Sequence, residues 1–123
     1  MTKAMTILCA GGAVQDIVMR VAAFPKPGTK VQASDVVTTT GGQSGNAAIA
    51  LARLGAKVRY GGPLGGEDDA VAAGVVAALE REGIDCGGAI RVAGGKSSVS
   101  MIMLDASGEK MIATRRGTRL SGV

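Results

Sequence analysis

Glycine pairs punctuate this sequence at 11–12, 41–42, 61–62, 65–66, 87–88 and 94–95, and they hold the regular elements between them to short runs. Glycine adopts backbone conformations closed to other residues and raises the entropy cost of ordering a chain, so such pairs mark tight loops rather than element interiors. Between them, Met5 to Ala10 (M-T-I-L-C-A) and Lys57 to Gly62 read as short buried strands. Ser44 to Leu54 reads as a helix with Ala47, Ile49, Ala50, Leu51 and Leu54 on its apolar face and Gly55 as its carboxyl cap. Glu67 to Glu82 reads as a second helix, opening on Glu67, Asp68 and Asp69 at the positive end of the helix dipole and stopping at Gly83. Strands that alternate with helices in this way predict an α/β layer built on a parallel sheet.

Other segments break the alternation. Ile17 to Phe24 and Thr29 to Thr40, separated by P-K-P-G at residues 25–28, predict two further strands whose weak pattern suits an exposed sheet. Ile84 to Val92 is strand-like but interrupted at Gly87 and Gly88, and Ser98 to Leu104, Gly108 and Lys110 to Thr114 predict a hairpin. From Arg115 to Val123 no further helix pattern follows, which leaves a core sheet of only about three strands, small for a doubly wound layer.

A length of 123 residues with 46% hydrophobic and 20% charged residues fits one soluble globular domain or part of one. Phe24 and Tyr60 are the only aromatic residues, so small side chains must fill the core. At roughly 25 cal/mol per Å² of buried apolar surface, such a core is stabilised thinly. The net charge of +4 is scattered and lacks stacking aromatics, which argues against a nucleic-acid partner and suits anionic small ligands. The absence of histidine removes Ser-His and Cys-His catalysis and most zinc sites. Cys9 and Cys86 read as inert packing residues. The apolar run after Lys3 is too short for a signal sequence, and no segment is long enough to cross a bilayer, so no membrane partner and a cytoplasmic location are expected.

The most informative segment is Gly41-Gly42-Gln43-Ser44-Gly45-Asn46, a glycine-rich turn opening straight into a helix. Glycines allow a ligand close to the backbone, a helix start offers unpaired N–H donors, and the Asn46 amide can donate to and accept from a hydroxyl group. From the segment alone, a glycine-rich connection capped by Ser44 is an equal reading. Asp16, just past the Gly11-Gly12 loop, stands where α/β folds bind ligands, and an ionised carboxylate can accept from two neighbouring hydroxyls. Gly94-Gly95-Lys96-Ser97 resembles the tail of a phosphate-binding P-loop, but its earlier glycine would fall at Ile90 and no helix pattern follows, so no nucleotide site is expected there. The Gly11-Gly12 loop lacks the third glycine of a dinucleotide fingerprint.

The run G-G-Q-S-G-N-A-A-I-A-L-A-R-L-G-A-K-V-R-Y-G-G-P-L-G-G-E-D-D-A, from Gly41 to Ala70, resembles the first signature of the ribokinase-like (PfkB) carbohydrate kinases. The resemblance covers Met5 to about Leu120 and implies the amino-terminal part of a three-layer α/β/α domain, with a small β lid from strands near 18–40 and 97–115. It implies substrate binding by Asp16, Gly41, Gly42, Gln43 and Asn46, with Ser100 and Ile102 as the lid residues over the substrate. Gln43 stands where ribokinase itself has lysine, which speaks against ribose as the substrate. Strand alternation puts Ser98, Ser100 and Ile102 on one lid face and Val99, Met101 and Met103 on the other. Arg115 and Arg116 are candidates for an anionic substituent, or a solvated strand end.

The expected function is the acceptor-binding portion of an ATP-dependent sugar or nucleoside kinase that phosphorylates a hydroxymethyl group. ATP and Mg2+ are expected in the complete family enzyme and neither on this chain alone, because nothing here matches the family's second signature, D-T-x-G-A-G-D, or its ATP-binding segments. A truncated or partial chain, inactive by itself, is therefore expected, with a homodimer through the lid strands as a further expectation. The alternative is a non-catalytic module that dimerises or binds a polyol.

Overall fold

The computed structural model describes residues 5–119; Lys3 and residues 120–123, which enter the readings above, lie outside them. The order of elements is β1 (Thr6–Cys9), β2 (Val14–Arg20), β3 (Asp35–Gly41), α1 (Gln43–Arg53), β4 (Lys57–Tyr60), β5 (Pro63–Leu64), α2 (Ala70–Arg81), β6 (Ile90–Arg91), β7 (Ser98–Leu104) and β8 (Lys110–Arg115).

The core layer is parallel. β1 pairs with β4 in register from Thr6 opposite Lys57 to Cys9 opposite Tyr60, and β5 pairs with β6. The segment from Asp85 to Val92 joins these pieces on the far side of β4, through Asp85 N–H to Val58, Tyr60 N–H to Asp85, Ile90 N–H to Gly62 and Val92 N–H to Leu64. It is interrupted at Gly87 and Gly88, as their lack of side chains suggests. Period-two alternation sorts the faces: Val58 and Tyr60 are buried, while Lys57 and Arg59 between them are exposed.

Both helices lie against the buried face. Ala48 of α1 meets Ala72, Val75 and Leu79 of α2 in one cluster with Cys9, Val58, Tyr60, Leu64 and Ile84. Small residues let α1 approach closely, and the spacing 72, 75, 79 is the stripe of a helix with 3.6 residues per turn. Gly55 and Gly83 take positive φ (94° and 79°) just beyond the two helices, the carboxyl-terminal caps expected of them. α2 begins three residues later than its sequence suggests, at Ala70, because Asp69 stands outside the helix as its cap and accepts from the Ala72 N–H at 3.1 Å. Among the described residues no helix covers the opposite face, where Leu8 is 62% exposed. Two layers of an α/β/α arrangement are therefore on view.

The remaining strands form a separate four-stranded sheet in the order β3-β2-β7-β8, with β2 and β7 parallel and the outer pairs antiparallel. The first two strands differ from the sequence reading, which places them at 17–24 and 29–40. β2 starts at Val14 and ends at Arg20, and the following loop reaches Ser34, whose N–H returns to the Arg20 carbonyl at 2.8 Å. Pro25 and Pro27 have no N–H for a ladder, and Gly28 at φ 78° closes a turn in which Thr29 bonds back to Lys26. The hairpin β7–β8 turns at Gly108 (φ 89°), where Asp105 Oδ1 accepts from the N–H groups of Ser107 and Glu109.

Candidate functional site

The start of β2 brings the first candidates together. Asp16 lies within the strand, opposite Thr39 of β3 and Ser100 of β7, and not at the carboxyl end of a core strand as its position after Gly11-Gly12 suggests. The strand reaches back to Val14 because Val14 still pairs with Gly41, so Asp16 belongs to the four-stranded sheet near its junction with the core. Its carboxylate rests on Gly41, where any β-carbon would collide with it. Burial raises its pKa above the usual carboxylate range, and no other cause contributes. A half-buried carboxylate with no compensating donor among the described residues suits a ligand that brings hydroxyl protons.

Gly42 precedes α1 with φ 84° and ψ 158°, a region open essentially to glycine alone, and a β-carbon there would lie 2.6 Å from the Gly12 carbonyl oxygen. The expected role of the helix start is modified here. The N–H groups of Ser44 and Gly45 donate to that same Gly12 carbonyl, at 3.1 and 3.2 Å, and are not free for a ligand. No side chain caps the helix, so Ser44 is not the cap of the plainer reading. The Gly11–Ala13 turn is held from below by the Tyr60 hydroxyl, which donates to the Gly11 carbonyl at 2.6 Å, and burial, with a smaller effect of Cys86, pushes that phenol up to about 12.

Gln43 and Asn46 are both exposed on the first turn of α1. Asn46 borders a groove with Thr38, Thr39, Thr40, Ile49 and Arg53, and Asp16 is not part of that lining. Asp16 and Gly41 are thus in contact, Gly42 adjoins them, and Asn46 stands one helical turn away. Ser100 is buried beside Asp16 on β7, and its Oγ lies 2.8 Å from Thr114 Oγ1 on β8. Ile102 shares that face, paired with Val18 on one side and Ile112 on the other. Thr114 is the neighbour that sequence reasoning passes over, although a hairpin turning at Gly108 sets it opposite Ser100.

Other candidates serve the framework. One Arg115 amino group donates to the Ser97 carbonyl at 2.8 Å, which ties it to the base of β7, whereas Arg116 is exposed. The Gly94–Ser97 segment forms no phosphate cradle: the Ser97 N–H donates to Asp69 Oδ2 (2.8 Å), its hydroxyl accepts from Gly65 N–H (2.9 Å), and a strand follows. Among the described residues there is no cluster of three or more acidic, cysteine or histidine side chains that could hold a metal ion. Burial, reinforced by Glu80 and Asp85, pushes the Cys86 thiol up to about 11, which favours the protonated form at neutral pH.

A parallel core carrying α1 and α2, joined to a four-stranded sheet where the Asp16 carboxylate rests on Gly41, is the arrangement of the ribokinase fold. Residues 5–121 match the family model described as pfkB family carbohydrate kinase, and the chain belongs to that family. It is 32% identical to the ribokinase of Haemophilus influenzae over 117 residues, covering 95% of this chain and 37% of that protein. A provisionally assigned ribokinase from Agrobacterium tumefaciens superposes with a TM-score of 0.84 at 32% identity, over 94% of this chain and 37% of the other. The Arabidopsis thaliana ribokinase complexed with ribose and ATP superposes at 0.78 with 26% identity, over 94% and 37%. The chain spans a little over a third of the length of each of these relatives.

Proposed function

We propose that this chain is the acceptor-binding part of an ATP-dependent sugar or nucleoside kinase that phosphorylates a hydroxymethyl group, working in the cytoplasm. The observation that carries the reading is the Asp16 carboxylate: partly desolvated, seated on Gly41 and without a donor among the described residues. Asp16 accepts from neighbouring sugar hydroxyls, Gly41 and Gly42 let the ring approach the backbone, and Gln43 and Asn46, exposed on the first turn of α1, meet the part of the ligand that extends past Gly42. Ser100 and Ile102 supply the lid side, one polar and one apolar. Family membership and the ribose- and ATP-bound relative support a polyol acceptor and ATP as donor. Base, phosphate donors and Mg2+ come, on this reading, from the part of the enzyme that the relatives have and these 123 residues do not span.

Calorimetric titration with D-ribose, D-fructose and adenosine tests it. Saturable binding of one of these that is lost in Asp16→Ala is the expected result; no binding of any, or binding indifferent to Asp16, would overturn it.

A second reading, a dimerising module, is favoured by the other lid face. Met19, Met101, Met103, Met111 and Ala113 line an open apolar hollow there, which Ile102 of β7 and Ile112 of β8 also border, and Met101 and Met111 are about half exposed (46% and 51%). Stable dimers that bind no sugar would favour it.

A further inference from the structure

Register places Asp16, Ser100 and Thr114 abreast on β2, β7 and β8, with Thr39 of β3 on the other flank of Asp16. Directly paired residues on adjacent strands point to the same face, at strand spacings of about 4.8 Å. One polar row therefore crosses a face whose next row, Val37, Val18, Ile102 and Ile112, is apolar.

Within the polar row the protons have a preferred direction. The Ser100 and Thr114 hydroxyls are 2.8 Å apart, so one donates to the other. A hydroxyl has one proton and two lone pairs, and an ionised Asp16 only accepts. Were Ser100 to donate to Thr114, its lone pairs would face the carboxylate one strand away. With Thr114 as donor, the Ser100 proton is free to point toward Asp16 and whatever lies against it. Ser100 is buried and Thr114 exposed, so the outer residue can satisfy its remaining lone pairs with water while the inner one has fewer choices.

We propose that Thr114 is a positioning residue for substrate specificity: by donating to Ser100 it makes Ser100 a donor beside the accepting Asp16, and the pair selects ligands with two adjacent hydroxyls. One ligand hydroxyl donates to Asp16, and its neighbour accepts from Ser100. Thr114 itself touches no ligand. The inference rests on the sugar-binding reading of Asp16 and adds a discrimination that Asp16 alone does not provide.

The test measures affinities of the protein for D-ribose, D-fructose and their singly deoxygenated analogues, in wild type, Thr114→Val, Thr114→Ser and Asp16→Asn. Thr114→Val keeps the branched shape that suits a strand and removes the hydroxyl, so Ser100 loses the partner that fixes the direction of its own proton. It is expected to weaken the parent sugar about three- to tenfold and to leave almost unchanged the deoxy analogue that lacks the accepting hydroxyl, with Thr114→Ser restoring the difference. Equal weakening of parent and every analogue, or no change in any, would overturn the role of Thr114 while loss of binding in Asp16→Asn still upheld the site. If Asp16→Asn binds like wild type, or the protein binds none of these sugars, the underlying reading fails and the inference falls with it.

Discussion

At the scale of single residues, substitutions at Asp16 and its two glycines distinguish the proposed binding role from a role in folding. Because burial raises the Asp16 pKa in the folded chain, folding favours its neutral form, and ionisation costs stability as pH rises through the carboxylate range. Asp16→Asn removes that cost, so at pH 7 it should melt no lower than the wild type while sugar affinity drops by about tenfold or more, measured by thermal unfolding beside calorimetry. Gly41→Ala should likewise spare the fold, since the carboxylate it displaces is the free end of a side chain, but weaken the sugar. Gly42→Ala meets the rigid Gly12 carbonyl and must hold φ 84°, so it should cost about 1–3 kcal/mol in a urea titration. The family signature made these residues legible in the sequence. The occupation of the Ser44 and Gly45 N–H groups by Gly12 was not, because that bond depends on two loops distant in sequence meeting in space.

Among the elements, the junction of lid and core is the most closely specified. Asp69 caps α2 through Ala72 and in the same stroke holds the Ser97 N–H, three residues before Ser100. Burial alone would raise the Asp69 pKa, but those two amide donors, with Lys96 and Arg115 nearby, outweigh it and hold the carboxyl below the usual range. A depressed folded pKa gives stability that is present above the unfolded value and is lost as pH falls through the folded one. Asp69→Ala should therefore cost about 2 kcal/mol or more at neutral pH, from the lost cap and the orphaned Ser97 amide, and progressively less as the pH drops below 4. Denaturant midpoints over a pH series would show the two curves converging. The helices, the core strands and the hairpin about Gly108 are legible from apolar period and glycine position. The lid strands β2 and β3 are displaced from their expected bounds because β-branched content alone cannot say where a ladder stops; Pro25 and Pro27 and the pairing of Val14 with Gly41 decide it. That displacement moves Asp16 from a loop into a strand.

For the whole molecule, two exposed apolar surfaces matter. The core sheet leaves Leu8 62% exposed on the face opposite the helices, and the lid exposes Met101 and Met111. Met101→Glu should shift any self-association toward monomer in sedimentation experiments without weakening sugar binding, since Met101 lies on the lid face away from Asp16. If association persists, it runs through the core face instead. The relatives named above are between two and three times as long as the part this chain spans, and the proposed acceptor site is what these residues can be tested for.

The most direct test of that proposed site follows the Asp16 carboxyl carbon by NMR through a pH titration, with and without saturating sugar. A carboxyl that titrates above the usual range in the free chain, and whose pKa falls when D-ribose or D-fructose binds, is the predicted result, because bound hydroxyls donate to the ionised form. A sugar that binds and leaves the Asp16 titration unmoved would contradict it.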